Sequence, residues 1–408
     1  MSSAGAEVRT SQDAAARFER AAGLDATSRS RYDRQMRFAP IGTEGQRRLG
    51  DAAVLVAGVG ALGCSLAQQM ARAGVGFIRL ADRDFVEPDN LHRQTLFDED
   101  DAATSAPKAV AAAARLRRLN SEARIEPHVA EINAANVAAL ISGTDLVLDG
   151  TDNVETRLLL SDACFSRGIP FVYGGATGSS ASAAALVPGE TACLRCLIGE
   201  PGDTEPGDTC DTAGIIGPAV ELAASLQAAE ALKWLSGNRE AMRRTWITAD
   251  VWQFALRETK LPPGRSGCPY CGGAGGAQEA ASSGRESRAR AGWAEPSQTV
   301  TGGMDGARLQ AHLSEPDREL NHMVATVLCG RGTVQVATGR ETAPAHCADR
   351  LAGLGCEIVA SNAYLVRART PSGASLAVFG DGRALVRGVE TPAEALELCR
   401  YYLMDKSP

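Results

Sequence analysis

From about residue 53 to residue 175 the chain alternates short apolar runs with longer segments of helical period, and the runs end in glycines or acids. The first run, 54–57, enters Gly58-x-Gly60-x-x-Gly63, and an Ala/Leu-rich segment continues to about Arg72. This pattern predicts a buried strand, a glycine turn and a helix opening on its N-terminus. A second run, 77–81, predicts a strand ending at Asp82. Beyond it the pattern predicts a helix over 107–120, a strand over 125–129, and a helix over 133–141 with Asn133 as N-cap. A strand over 145–149 leads into Gly150-Thr151-Asp152-Asn153. An amphipathic helix covers 154–167, and a strand over 170–173 closes at Gly174-Gly175. Strand and helix in regular alternation build a mostly parallel sheet with helices on both faces. Such sheets bind ligands at the carboxyl ends of their strands, where Gly58–Gly63, Asp82, Asp152 and Gly174 are expected to fall.

After residue 181 the pattern changes. A strand over 181–187 is followed by Cys193-x-x-Cys196, a Gly/Pro/Asp-rich loop over 199–212 that holds Cys210, and a long apolar helix over 217–236. Strands over 245–249 and 252–257 read as antiparallel, and Cys268-x-x-Cys271 with Gly272-Gly273 closes the segment. Residues 274–303 have the composition of a flexible linker. Residues 304–408 read as a small α+β domain: strands over 323–329 and 332–338, a helix over 345–354, strands over 358–360 leading to 363–369, over 375–379 and over 384–388, and a helix over 392–403. Asp381-Gly382 is its hairpin turn. Residues 1–30 read as a mobile N-terminal tail with a short helix near 14–22, which leaves 31–273 as the principal domain.

At 408 residues more than one domain is expected. A net charge of −7 and an isoelectric point near 5.5 argue against nucleic acid as the partner. No apolar run has the length of a membrane span; the 217–236 helix carries Glu221, Glu230 and Lys233. Eleven cysteines, with no signal-peptide apolar core before them, read as reduced thiols, metal ligands or catalytic groups in a cytoplasmic protein.

The glycine turn is a candidate phosphate cradle: glycines let backbone approach an anion, and free N–H groups with the helix dipole favour negative charge there. Asp82, about 20 positions on, stands where a ribose hydroxyl is bound. The plainer reading is that the glycines only let strand and helix pack closely. Residues downstream decide which nucleotide fits. Asp82-x-Asp84 begins a segment that ends in Asn90, Arg93 and Gln94, donors suited to phosphate oxygens. Lys108 adds a cation at the head of a helix, and Asp152 is a hard ligand for a divalent metal bridging phosphates. A nicotinamide dehydrogenase needs no metal and no such group of cations. A triphosphate needs them, because charge neutralisation and positioning are most of nucleotidyl-transfer catalysis. ATP is therefore expected ahead of NAD.

Cys193, Cys196, Cys268 and Cys271 offer four thiolates in two pairs, the donor set of a closed structural Zn²⁺ site; a redox dithiol or unrelated buried thiols are the alternatives. Cys210 lies in a polar loop directly before a helix, where a thiolate is favoured, and both a catalytic and an incidental role stay open. Cys64, Cys164, Cys329, Cys347, Cys356 and Cys399 read as packing residues, and His92 as a loop-positioning residue.

Together these motifs resemble the ThiF/MoeB family, bacterial relatives of ubiquitin-activating enzymes, over residues 31–273. The resemblance is carried by Tyr32-x-Arg34-Gln35, Val56-x-Gly58-x-Gly60-x-Leu62-Gly63, Asp82-x-Asp84, Asn90-Leu91-x-Arg93-Gln94, Pro107-Lys108, Asp149-x-Thr151-Asp152-Asn153, the two Cys-x-x-Cys pairs and Cys210-x-x-Ala213-Gly214. It implies a Rossmann-like mostly parallel sheet continued by antiparallel strands with a zinc knuckle. It also implies an ATP-dependent adenylyltransferase that activates the C-terminal glycine of a small ubiquitin-like sulfur carrier ending Gly-Gly. Gly58, Gly60 and Gly63 would lie under the nucleotide and Asp82 on the ribose, beside Asp84. Asn90, Arg93, Gln94 and Lys108 would hold the phosphates, and Asp152, next to Asn153, would hold Mg²⁺. Arg34 would reach the triphosphate of the other subunit of a homodimer, and Cys210 would take the carrier's acyl group in some relatives. A sulfur donor such as a cysteine desulfurase would be a further partner. Ala61 stands where many members have glycine, with no expected loss of nucleotide binding. Adenylation of a peptide in a natural-product pathway is the alternative within the enzyme class; an NAD-linked redox enzyme and a silent scaffold for ubiquitin-like folds are the rivals outside it. The C-terminal domain resembles an extension found on many such proteins and lacks the cysteine anion loop of a rhodanese. Carrier docking, dimer support and a plain structural role are its expected uses.

Overall fold

All five residues of strand β1 (Ala53–Ala57) are buried, and the first unit of the molecule is laid out around them. The computed structural model describes residues 26–199, 213–272, 323–327 and 332–404. The chain divides into two units, 1–280 and 281–408.

In the first unit, helices α1 (Ala26–Met36) and α2 (Gly42–Asp51) precede β1. Then come α3 (Ala61–Ala73), β2 (Phe77–Asp82), a 3₁₀ turn (Pro88–Asn90), α4 (Glu99–Ala103), α5 (Lys108–Leu119) and β3 (Arg124–Val129). The chain continues through α6 (Val137–Leu140), β4 (Leu146–Asp149), α7 (Val154–Ser166), β5 (Phe171–Thr177), β6 (Ser180–Leu186), α8 (Leu194–Ile198), α9 (Gly217–Ser236), β7 (Thr245–Asp250) and β8 (Ala255–Lys260). The sheet order is β3-β2-β1-β4-β5-β6-β7-β8. The first five strands in that order are parallel and the remaining pairings are antiparallel. The chain winds outward from β1 to β3, then resumes on the other side of β1 with β4. That reversal opens a crevice at the carboxyl ends of β1 and β4, the position where doubly wound sheets hold ligands.

Alternation along β1 supplies both layers. Val54 and Val56 pack with Leu66 and Met70 of α3 and Ala224 and Ala228 of α9. Leu55 and Ala57 pack on the opposite face with Leu158 and Phe165 of α7. Alanines at the α3, α5 and α9 contacts let helices lie close to the sheet.

Among the described residues of the first unit the expected elements are present with four local differences. α6 is a single turn, because Asn133 Oδ1 accepts the Ala135 N–H and Asn136 Oδ1 accepts the Asn133 N–H, each at 2.9 Å. These side chains compete with helical bonding for the backbone. β5 does not stop at Gly174-Gly175: it runs to Thr177, because Gly174 and Gly175 pair with Ala183 and Ser182 of β6. Gly174 is therefore a mid-strand residue, not a strand end. β8 starts at Ala255, since Asp250 Oδ1 accepts the N–H groups of Trp252 and Gln253 and makes 251–254 a turn. The helix before Tyr32 begins at Ala26, inside the expected 1–30 tail.

The second unit orders β9 (Val324–Val327), β10 (Thr333–Ala337), α10 (Pro344–Gly353), β11 (Glu357–Ser361), β12 (Leu365–Arg369), β13 (Ser375–Phe379), β14 (Arg383–Arg387) and α11 (Pro392–Leu403) into a six-stranded antiparallel sheet, β11-β12-β13-β14-β10-β9. The stretch expected as 358–360 leading on to 363–369 forms two antiparallel strands, turned at Asn362, whose Oδ1 accepts the N–H groups of Tyr364 and Leu365. Val336, Leu376, Val378 and Val386 pack with Cys347, Leu351, Cys399 and Tyr402, so these thiols are core, as are Cys64 and Cys164 in the first unit. The Asp381-Gly382 turn is present, with Gly382 at φ +85°. Among the described residues no helix is long and apolar enough to cross a membrane. The expected helix near 14–22, the linker 274–303, Cys210 and Cys329 lie outside the described residues.

Candidate functional site

The three turn glycines do different work. A Cβ on Gly63 would lie 1.9 Å from the Gly58 carbonyl oxygen, and one on Gly58, at φ +79°, would lie 2.7 Å from the Gly150 oxygen. These two are required for packing of strand, helix and the β4 loop. Gly60 is different: a Cβ there would meet nothing nearer than Gln94 Nε2, at 4.0 Å. Gly60 caps α3, and its open side is the cradle at the helix N-terminus. The packing reading therefore holds for Gly58 and Gly63, while Gly60 is the glycine whose side is open.

Asp82 ends β2 and is buried. Its two carboxylate oxygens accept the Val59 N–H at 2.6 Å and the Asp84 N–H at 2.7 Å, which ties the glycine turn to the end of the neighbouring strand. Burial pushes the Asp82 carboxyl up and Lys108 pulls it back. Lys108 is brought there by backbone pairing: Phe85 bridges Pro107, and the Lys108 N–H donates to the Asp84 oxygen at 2.9 Å. Its Nζ lies 3.4 Å from Asp84 Oδ2. Burial alone would lower the Lys108 pKa, but Asp84, Asp82 and Asp152 outweigh it and hold the ammonium above its ordinary value. One buried cation thus feels three carboxylates from two strand ends, Asp82 and Asp84 at the end of β2 and Asp152 after β4.

Asn90 is buried and closes its own turn, accepting the Glu87 N–H at 3.3 Å and donating to Asp89. Arg93 donates to the Asp89 carbonyl at 2.8 Å and lies beside the exposed His92. Gln94 is 4% exposed, and its Oε1 is buried without a hydrogen-bond partner. With its amide next to the Gly60 cradle, this orphan acceptor suits a bound polar ligand. Asn153 caps α7 by accepting the Thr156 N–H at 2.9 Å through its Oδ1, while its Nδ2 lies 3.5 Å from Asp152 Oδ1. Asp152 is exposed.

Arg34 sits apart from this crevice on the exposed side of α1. Tyr32, Gln35 and Met36 form the docked face: the Tyr32 hydroxyl accepts from Asn120, and Gln35 donates to the Ala73 carbonyl. The spacing leaves Arg34 outward, with no hydrogen bond or ion pair to the described residues.

At the other end of the sheet the two Cys-x-x-Cys pairs meet. All four Sγ atoms lie within 4.8 Å of one another, with Cys193–Cys268 and Cys196–Cys271 each at 3.7 Å. A tetrahedron of thiolates about 2.3 Å from Zn²⁺ has an edge of about 3.8 Å, so the sulfurs fit that ion. Burial pushes the Cys196 thiol up to about 11, whereas Cys268, also raised by burial, is brought down to about 7 by the N–H groups of Cys271 and Tyr270. Beyond Cys210 the described chain resumes at Ala213, and Gly214 and Ile216 are bonded to Gly178.

Two residues at this crevice were not singled out in the sequence. Gln227 of α9 is fully buried and donates to the carbonyls of Asp149 and Val172, clamping β4 to β5. Arg157 of α7 bonds Thr151 and Gly174 and pairs with Asp149. The signal for Arg157 was its position four residues after the N-cap Asn153, from which a side chain leans back over the helix start.

The profile of the ThiF family matches residues 32–270. The sulfur carrier protein ThiS adenylyltransferase of Bacillus subtilis is 38% identical over 371 residues, covering 90% of this chain and 96% of that protein. That span exceeds the first unit, so the likeness extends into the second. The SAMP-activating enzyme E1 of Haloferax volcanii is 39% identical over 254 residues, 62% of this chain and 92% of that protein. Among solved structures, E. coli MccB in complex with MccA-N7isoAsn superposes with a TM-score of 0.53 at 22% identity, covering 62% of this chain and 76% of that one, a likeness of fold.

Proposed function

Since this chain belongs to the ThiF family, we propose that it adenylates the C-terminal glycine carboxylate of a small sulfur carrier protein, using ATP. The observation that carries the reading is the open Gly60 cradle at the β1–β4 switch point, with Lys108 beside it among Asp82, Asp84 and Asp152. The carrier's carboxylate, already ionised at neutral pH, attacks the α-phosphorus, and pyrophosphate leaves. No general base is required. Gly60 lets the phosphates approach the N-terminus of α3. Lys108 and Arg93 oppose the charge that grows on the phosphoryl oxygens. Asp82 retains acceptor capacity beyond its two backbone bonds, enough for a ribose hydroxyl. Asp152 would hold Mg²⁺, which when bound neutralises the departing pyrophosphate. Asn90 keeps the 87–94 loop in shape.

The finer assignments complete the reading. Arg34, outward on α1, serves the phosphates of a second copy, so the working unit is a homodimer. The four cysteines hold a structural Zn²⁺ that supplies no step of the reaction. The carrier ends in Gly-Gly. The carrier's acyl group then leaves AMP for the sulfur of a donor such as a cysteine desulfurase, or for Cys210, whose thiolate would displace AMP to form a thioester. ATP–pyrophosphate exchange tests the reading: it is expected only with a Gly-Gly-ended carrier present, and Asp152→Ala is expected to abolish it. Full exchange in that variant contradicts the assignment.

A further inference from the structure

We infer that Arg157 is a positioning residue: it sets the loop that carries Asp152 and thereby the metal affinity of the site. This rests on the reading of Asp152 given above. Asp152 is exposed; among the described residues its carboxylate's hydrogen-bond contact is the 3.5 Å one from Asn153 Nδ2, and Lys108 and Arg83 act on it through charge, so its place is set chiefly by the backbone of 150–153. That backbone is held from below. Arg157 Nη2 donates to the Thr151 carbonyl at 2.6 Å and to the Gly174 carbonyl at 3.0 Å, fastening the loop to β5. Its Nε lies 3.2 Å from Oδ2 of Asp149, a carboxylate with no exposure, and its guanidinium lies over the Tyr173 ring at 5.1 Å. Asp149 Oδ1 in turn accepts the N–H and hydroxyl of Thr151, at 3.0 and 2.7 Å. Thr151 is thus gripped at its N–H, hydroxyl and carbonyl, and the next residue is Asp152. The same loop is a wall of the glycine turn, since the Gly150 oxygen abuts Gly58.

A planar guanidinium reaches two carbonyls and a carboxylate at once; a lysine ammonium is a point charge that satisfies Asp149 without spanning to Gly174. Arg157→Lys therefore separates the two roles. It keeps a cation for the buried Asp149 and loosens the Asp152 loop. Residues that orient a metal ligand typically change metal affinity by about 10–100-fold when replaced.

The test compares wild type, Arg157→Lys and the double variant Asp149→Asn/Arg157→Gln, which removes the buried charge together with its partner. Mn²⁺ replaces Mg²⁺, bound with αβ-methylene ATP and followed by electron paramagnetic resonance, alongside thermal melting and amide exchange at 151–153. The expected result in either folded variant is Mn²⁺ affinity about tenfold or more weaker. Faster exchange at 151–153 and unchanged metal-free binding of the analogue accompany it. Unchanged Mn²⁺ affinity, or a loss no greater than the unfolded fraction, overturns the inference. Wild type that exchanges pyrophosphate while the variants keep their Mn²⁺ affinity removes this inference alone. Wild type without carrier-dependent exchange removes the functional reading, whatever the variants do with Mn²⁺.

Discussion

The two ends of the eight-stranded sheet are built on opposite terms. In the parallel half, β1 lies between apolar layers, and burial of small side chains holds the strands so that Asp82, Lys108 and Asp152 are left for chemistry. In the antiparallel half, every residue of the edge strand β8 is exposed, and the chain beyond it is tied back by Cys268 and Cys271 meeting Cys193 and Cys196. One half spends apolar area on stability and polar residues on the ligand. The other uses its reactive side chains as the fastening. Perturbing a polar residue should therefore cost rate in the first region and stability in the second.

The largest expected effect is on rate alone. Asp152→Asn removes a charge from an exposed residue, so pyrophosphate exchange should fall about 10²–10³-fold while the melting temperature stays put. A drop in melting temperature of the same variant would break the contrast. Next comes metal removal by a chelator, or Cys196→Ser, which takes away the fastening. A loss of several kcal/mol there, at roughly 2–4 °C per kcal/mol for a domain of this size, lowers the melting transition by about 10 °C. Proteolysis should then cut first after β8. Within the parallel half, the glycine turn sharpens the comparison further. Gly63→Ala sets a Cβ against the Gly58 carbonyl and should destabilise by about 3 kcal/mol or more. Gly60→Ala should leave the melting transition within a few degrees and weaken nucleotide binding about tenfold, the loss of close phosphate approach. Equal effects of the two substitutions on melting would contradict the division of labour.

The smallest effect marks the floor. Arg47 and Arg48 hold the exposed Glu44 carboxyl down to about 2, from an ordinary value of 4.5. Because the folded pKa is the lower one, the stabilisation is present above pH 4.5 and is lost as pH falls toward 2. Solvent screening keeps it below about 1 kcal/mol, so Glu44→Gln should shift melting at pH 7 by only a degree or two and flatten that acid limb.

Much of this was legible in the residues. The apolar runs and the helical period located β1 to β7 and the long helix, because burial on one or both faces writes itself into alternation. Gly58-x-Gly60-x-x-Gly63, Asp82 and Lys108 were readable as one crevice, and the Cys-x-x-Cys pairs as one cluster. What alternation did not show was side-chain capture of backbone: Asn133 and Asn136 shortened α6, Asn362 turned one strand back on the next, and Asp250 displaced β8. Gly174 misled because a glycine pair ordinarily marks a turn, while here it makes room for Gln227 inside a strand. Asn153 carried a site motif and also caps a helix. Arg157 had only its place four residues after Asn153 to mark it, and a cation in an amphipathic helix reads as solvated until its partners, distant in sequence, are placed beside it. The separation of Gly60 from its neighbours needed three-dimensional distances.

The central claim, activation of a carrier's terminal carboxylate by ATP, is tested most directly by mass spectrometry of a Gly-Gly-ended sulfur carrier incubated with this protein, ATP and Mg²⁺. The predicted result is a carrier heavier by one AMP, formed with release of pyrophosphate and lost when the last glycine is deleted; Cys210→Ser should leave that adenylate in place. An unmodified carrier, or AMP attached equally to a carrier lacking its terminal glycine, would contradict the account.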